Sequence, residues 1–133
     1  MLFGEEHVKL YLETDGAQGH DWRGTTTLIL TTTGRRSGQP RSTPLIYGTH
    51  GDEYLVVASK GGAEKHPAWY LNLDEHPEVT VQVRGDRFAA RARTATAEEK
   101  PELWRTMVAQ WPAYAEYQQK TPREIPVVVL ERS

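Results

Sequence analysis

The chain has 133 residues, 38% hydrophobic and 26% charged, with sixteen Lys and Arg against eighteen Asp and Glu for a net charge of −2. This is one domain's worth of ordinary globular composition, and no stretch approaches the roughly 20 apolar residues of a membrane span. Cysteine is absent, which removes disulfides, thiolate metal sites and cysteine nucleophiles together.

Met1 to Glu6 lacks the basic region and apolar run of a secretory leader, so a cytoplasmic location is expected. Residues 1–20 are a candidate mobile segment. A peripheral rest on a membrane surface is the alternative for them, opposed by Glu5, Glu6, Glu13 and Asp15.

Residues 5–14 predict a short amphipathic helix with Val8, Leu10, Tyr11 and Leu12 as its apolar content, followed by a flexible loop over Asp15–Asp21. Thr26–Thr33 is rich in β-branched residues and predicts a strand. Ser42–Gly48 predicts a second strand, with Pro44 marking an edge or irregular start, and Tyr54–Ala58 a third. His66-Pro67 opens a short helix through Asp74, and His76-Pro77 stops it. Val79, Val81 and Val83 alternate with polar residues as a half-buried strand.

Gly85-Asp86 predicts a hairpin turn into a strand alternating Phe88, Ala90 and Ala92 with Arg87, Arg91 and Arg93. Together with Arg84, these arginines read as a solvent-facing basic edge that discourages sheet–sheet association. Thr96 and Glu99 form a candidate capping box for a helix with Leu103, Trp104, Met107, Val108 and Trp111 on its apolar face. Pro112 starts a further helical turn bearing Tyr114 and Tyr117, and Ile125–Leu130 is a last buried strand. Antiparallel neighbours with inserted helices predict an α+β fold, a small curved sheet or barrel. No repeat or linker divides the chain, so one domain over 1–133 is expected.

Between Trp22 and Gly51 stand four arginines and no carboxylate. Three of them, Arg35, Arg36 and Arg41, surround Gly34 and Gly38. Local positive charge in a mildly acidic chain points to one bound anion. The glycines would let backbone amides approach that anion, and the guanidiniums would fork onto phosphate or carboxylate oxygens. Neither a P-loop nor a dinucleotide fingerprint is present. Ala58-Ser59-Lys60-Gly61-Gly62 repeats the pattern at another strand end, so two loops can share one phosphorylated ligand with a planar ring. Either loop alone is also an ordinary turn. The histidines His7, His20, His50, His66 and His76 lack metal-ligand spacing.

Three stretches resemble the deazaflavin-dependent nitroreductase family of split β-barrel oxidoreductases: Thr31-Thr32-Thr33-Gly34-Arg35-Arg36-Ser37-Gly38-Gln39-Pro40-Arg41, Ala58-Ser59-Lys60-Gly61-Gly62-Ala63-Glu64-Lys65-His66-Pro67-Ala68-Trp69-Tyr70-Leu71-Asn72-Leu73, and Ile125-Pro126-Val127-Val128-Val129. The resemblance runs from about residue 20 to the C-terminus. It implies coenzyme F420, with Arg35, Arg36, Ser37, Gly38, Gln39, Pro40 and Arg41 on the phosphate and oligoglutamate tail. Val57, Ala58, Ser59, Lys60 and Gly61 would lie along the ring and its ribityl–phosphate arm. Pro67, Ala68, Trp69, Tyr70, Leu71 and Asn72 would add contacts.

It further implies hydride transfer from reduced F420 to quinones, enones or nitro compounds, with Ser59, Ile46, Trp111, Tyr114 and Tyr117 facing the substrate and Tyr114 as hydroxyl donor. Core packing is the other reading of the three helix aromatics. Ile46 and Trp111 replace family tyrosines, which removes two hydroxyls and disfavours nitroimidazole reduction. A monomer or weak homodimer acting on small molecules follows. A non-catalytic carrier of deazaflavin, FMN or haem is the alternative. Nucleic-acid binding is opposed by the net charge.

Overall fold

The computed structural model describes residues 4–133; the first three residues of Met1–Glu6, read as lacking a leader, and of the candidate mobile segment 1–20 lie outside them. Helix α1 spans Gly4–Glu13, followed by strands β1 (Asp21–Trp22), β2 (Thr25–Thr33), β3 (Pro40–Ile46), β4 (Gly48–His50) and β5 (Glu53–Val57). A single 3-10 turn covers Lys60–Gly62, then α2 (Ala68–Glu75), β6 (Glu78–Val83), β7 (Asp86–Thr94), α3 (Lys100–Gln110), α4 (Ala113–Gln119) and β8 (Val127–Arg132). Every strand pairing is antiparallel. The strands run β1-β2-β6-β7-β8-β5-β4, with β3 on the far side of β2. This is the α+β curled sheet the sequence predicts.

The sheet buries both faces. Leu28, Leu30, Val56, Val79, Val81, Ala90, Ala92, Val128 and Leu130 fill one face, where Trp69 and Leu73 of α2 close over them. Leu55, Val57, Val127 and Val129 turn to the other face, against Leu103 and Met107 of α3 and Tyr114 of α4. Because β5 and β8 contribute to both cores, they read as unbroken apolar runs and not as alternation. A fully buried leucine here stabilises the fold by roughly 1.5–3 kcal/mol.

Several local expectations shift. The hairpin turn is Arg84-Gly85, since Val83 pairs with Asp86. Arg84 takes a left-handed φ of 54°. Its amide donates to Tyr11 Oη at 2.8 Å and its carbonyl accepts from Gln82 Nε2 at 2.9 Å, and these contacts hold a conformation glycine would otherwise take.

Strand β7 is central, between β6 and β8, so its arginines guard no edge. Two of them meet carboxylates instead: Arg91 pairs with Glu78, and Arg93 with Glu99 and Glu131. Residues 15–20 form a packed turn with Gly16, Gly19 and His20 buried, and Asp21 already belongs to β1. A Cβ on Gly16 would lie 2.6 Å from the Arg84 Cα. Strand β3 pairs only with β2, the edge position that tolerates Pro44. The capping box forms as read, Thr96 N donating to Glu99 Oε1 at 2.8 Å and Glu99 N to Thr96 Oγ1 at 3.3 Å.

Candidate functional site

Two cavities open beside each other on the face covered by α1, and Trp69 lines both. The larger, about 710 Å3, is walled by Gly34, Arg35, Arg36 and Ser37, by Pro40, Arg41, Ser42 and Thr43 of β3, and by Ala68 and Asn72 of α2. Helix α1 roofs it with Glu5, Val8 and Lys9. Lys9, Arg35, Arg36 and Arg41 thus face one carboxylate, Glu5. Arg36 and Arg41 have no ion pair among the described residues. Like charges held this close repel, and a polyanion entering the cavity relieves that repulsion.

The loop that presents them is rigid for a reason the sequence did not reveal. Gly34 N donates to the Gln39 carbonyl and Gly38 N to the Gly34 carbonyl, each at 2.8 Å. Those glycine amides therefore close the turn and are not aimed at an anion, contrary to expectation. A Cβ on Gly34 would meet Ser37 Oγ at 2.6 Å and the Gln39 carbonyl oxygen at 3.2 Å, so a side chain there would displace Ser37 and crowd the turn. Buried Asn72 ties the loop to α2: its Oδ1 accepts from Arg35 N at 3.1 Å and Arg35 Nη1 at 3.2 Å, while its Nδ2 donates to Thr32 Oγ1 at 3.2 Å.

The second cavity, about 510 Å3, is mostly aromatic and aliphatic: Trp22, Pro44, Leu45, Ile46, Val57, Pro67, Trp69, Trp111, Tyr114 and Tyr117. Its polar groups come from Gly4, His7, Arg23, Thr27, Ser59, Lys60 and Gly61. Trp22 and Trp111 lie with ring centres 5.9 Å apart. Trp111 Nε1 donates to Tyr117 Oη at 3.4 Å, and Tyr117 meets Tyr114 edge-on at 6.1 Å.

Tyr114 is buried as a residue, and its hydroxyl, which is not fully sealed from solvent, makes no hydrogen bond among the described residues. Burial, reinforced by neighbouring Tyr117, pushes its phenol well above the ordinary tyrosine range. Ser59 is also buried, at the end of the strand that delivers Lys60. Lys60 stands in the left-handed region at φ 46°.

The residues named from sequence divide accordingly. Arg35, Arg36, Ser37, Pro40, Arg41, Ala68 and Asn72 line the cationic cavity. Val57, Ser59, Lys60, Gly61, Pro67, Ile46, Trp111, Tyr114 and Tyr117 line the aromatic one, and Trp69 lines both. Gly38, Gln39, Ala58, Tyr70 and Leu71 line neither. Tyr70 instead bonds Thr94 Oγ1 at 2.8 Å and packs on His66.

Sequence reasoning missed His7, Trp22, Arg23 and Thr27, together with Glu5 and Lys9 of the α1 roof. His7 and Tyr11 sit four residues apart on one helix face, a signal hidden because histidine was not counted as buried.

A family model described as F420H(2)-dependent quinone reductase matches residues 3–132. The chain belongs to the F420H(2)-dependent quinone reductase family. The F420H(2)-dependent quinone reductase Rv1261c of Mycobacterium tuberculosis is 42% identical over 131 residues, which is 95% of this chain and 87% of that protein. A solved F420-H2 dependent reductase, FDR-A, superposes with TM-score 0.74 at 42% identity over 79% of this chain and 93% of its own. A second structure, described as a domain-swapped dimer, gives TM-score 0.77 at 40% identity over 95% of both chains.

The haem storage protein HutZ of Vibrio cholerae shares the fold alone, at 15% identity and TM-score 0.64 over 99% of this chain and 92% of its own. This quinone reductase family member therefore has the split-barrel-like sheet expected of it.

Proposed function

We propose that this chain uses F420 across the two cavities and reduces quinone-, enone- or nitro-type small molecules. The observation that carries the reading is the pairing of a four-cation cavity with an aromatic cavity through one shared side chain, Trp69. An acidic tail attached to a planar ring needs both halves at once. The donor set fits: Arg35, Arg36, Arg41 and Lys9 would hold the tail by charge-assisted hydrogen bonds, and Ser59, Lys60 and Trp69 would border the ring and its phosphate arm.

When bound in reduced form, the cofactor supplies hydride. The chain's own part is to orient and to donate. The apolar walls exclude water, and Trp22 with Trp111 gives a flat substrate aromatic surface. Tyr114 stays protonated near neutral pH, so its hydroxyl would donate to the oxygen on which negative charge develops. Ser59 would supply a second hydroxyl at the same cavity. Ile46 and Trp111 bring no phenol at their own positions, which leaves Tyr114 and Tyr117 as the phenols of that cavity and favours carbonyl-bearing acceptors over nitroimidazoles.

Fluorescence titration with F420 tests the binding half. Saturable quenching in the micromolar range or tighter is expected, weakened by both Arg36→Ala and Lys60→Ala. Oxidation of the reduced cofactor by menadione or cyclohexenone tests the catalytic half; binding without turnover would make the chain a carrier instead. We read it as one cytoplasmic domain. The domain-swapped relative supports a dimer over a monomer, which sedimentation would decide. Among the described residues no helix is long and apolar enough to cross a membrane.

A further inference from the structure

We propose that Arg123, which lines neither F420-site cavity, is the positioning residue that holds Ser59 and Lys60 in place. The inference rests on the F420 reading only for what the loop binds. Lys60, Gly61 and Gly62 are three successive left-handed residues, with φ of 46°, 63° and 84°. Such conformations normally occur singly, and lysine enters them against the clash of its Cβ. They persist where surrounding structure over-determines them.

The half-buried Arg123, between α4 and β8, supplies that structure. Its Nη2 donates to the Ser59 carbonyl at 2.7 Å, its Nη1 to the Ala58 carbonyl at 3.3 Å, and its Nε to the Ala63 carbonyl at 2.8 Å. These acceptors bracket the left-handed run on both sides. Nη1 also donates to His66 Nδ1 at 3.1 Å, immediately before Pro67, which lines the aromatic cavity. Among the described residues Arg123 forms no ion pair with a carboxylate.

The backbone under this fork is itself fixed. Gln118 Nε2 donates to the Arg123 carbonyl at 2.8 Å, and Gln118 Oε1 accepts from Ile125 N at 2.9 Å. On the opposite side, the loop presses on α4, where a Cβ on Gly62 would lie 2.6 Å from the Tyr117 carbonyl oxygen. With its carbonyls turned to Arg123, the loop leaves Ser59 and Lys60 to the cavity. A planar five-donor fork can serve four acceptors at fixed angles; an ammonium cannot.

The test is a double-mutant cycle read by F420 fluorescence titration at a temperature where every variant is folded. Lys60→Ala alone and Arg123→Lys alone should each weaken binding about tenfold, and Lys60→Ala should cost far less in the Arg123→Lys background. An equal cost of Lys60→Ala in both backgrounds, or parent-like binding by Arg123→Lys, overturns the proposal.

Amide exchange judges it without any cofactor. Gly62 and Ala63 amides, which donate to Ser59 and Lys60 carbonyls, should exchange faster in Arg123→Lys while those of Val127–Val129 stay protected. Should Arg123 variants fold poorly, His66→Leu should raise the same two rates to a smaller degree, and unchanged rates there overturn the proposal. If Lys60→Ala does not weaken binding in the parent but the exchange rates rise, the cofactor reading fails and Arg123 keeps its role.

Discussion

At Tyr114 two circumstances act in one direction: burial keeps the phenol protonated, and among the described residues no acceptor competes for its proton. Tyr114→Phe should therefore lower kcat by about 100-fold while the F420 titration stays unchanged; an unaffected kcat would remove Tyr114 from the chemistry. The raised folded-state pKa also fixes a sign. Its stabilising contribution is complete below about pH 10, where the unfolded tyrosine is also neutral, and is lost as pH rises through the higher folded value. Thermal melts should show stability declining above pH 10, less steeply in Tyr114→Phe.

Lys60 carries the opposite balance, strain kept for position. Lys60→Gly should raise stability by about 1 kcal/mol and weaken cofactor binding at the same time. Both residues were legible in the sequence, one by its helical spacing and one by its place between a strand end and two glycines. Arg123 was not, because its acceptors lie about sixty residues away and nothing local marks a guanidinium that serves carbonyls.

Among the elements, α3 shows what local sequence controls. Thr96 and Glu99 close a reciprocal cap that can be read directly from their spacing, and Thr96→Ala should cost about 1 kcal/mol in a urea titration. Glu99 also serves the sheet. The Arg93 guanidinium, then the Thr96 amide, holds its carboxyl below the usual carboxylate range. A depressed folded value means the contribution is present above the ordinary carboxylate pKa and is lost as pH falls through the folded one. Glu99→Gln should flatten the loss of stability on acidification, modestly, because the pair is partly solvated.

Elements whose geometry is set elsewhere were misread. The turn at Arg84-Gly85 is selected by Tyr11, more than seventy residues earlier, and β7 looked like an edge because the carboxylates that Arg91 and Arg93 meet, Glu78, Glu99 and Glu131, lie outside that strand. In the arginine loop the glycine amides close the loop's own turn, so under the proposed reading anion binding falls to the guanidiniums.

For the whole molecule, α1 decides the shape of the site. Tyr11, fully buried, donates to the Thr27 carbonyl at 3.1 Å and accepts from Arg84 N, which seats the helix so that His7 reaches the aromatic cavity and Glu5 and Lys9 the cationic one. Tyr11→Phe leaves the Arg84 amide unpaired and should cost about 1–3 kcal/mol, seen as a lowered melting temperature. The sheet, the two loops and the family were legible from residue 20 onward. The α1 helix was legible too, read at 5–14 with Tyr11 among its apolar residues; its place as the roof of the site was not, because most of the side chains that reach the cavities, Glu5, His7 and Lys9, are polar.

The account stands on one ligand bridging two cavities. Its most direct measurement compares the affinity of F420 with that of its tail-less chromophore, in the parent and in Arg36→Ala/Arg41→Ala. F420 should bind far more tightly in the parent, with a steep salt dependence, and the double substitution should erase that advantage while leaving chromophore affinity unchanged. Equal affinity of the two compounds for the parent protein would contradict it.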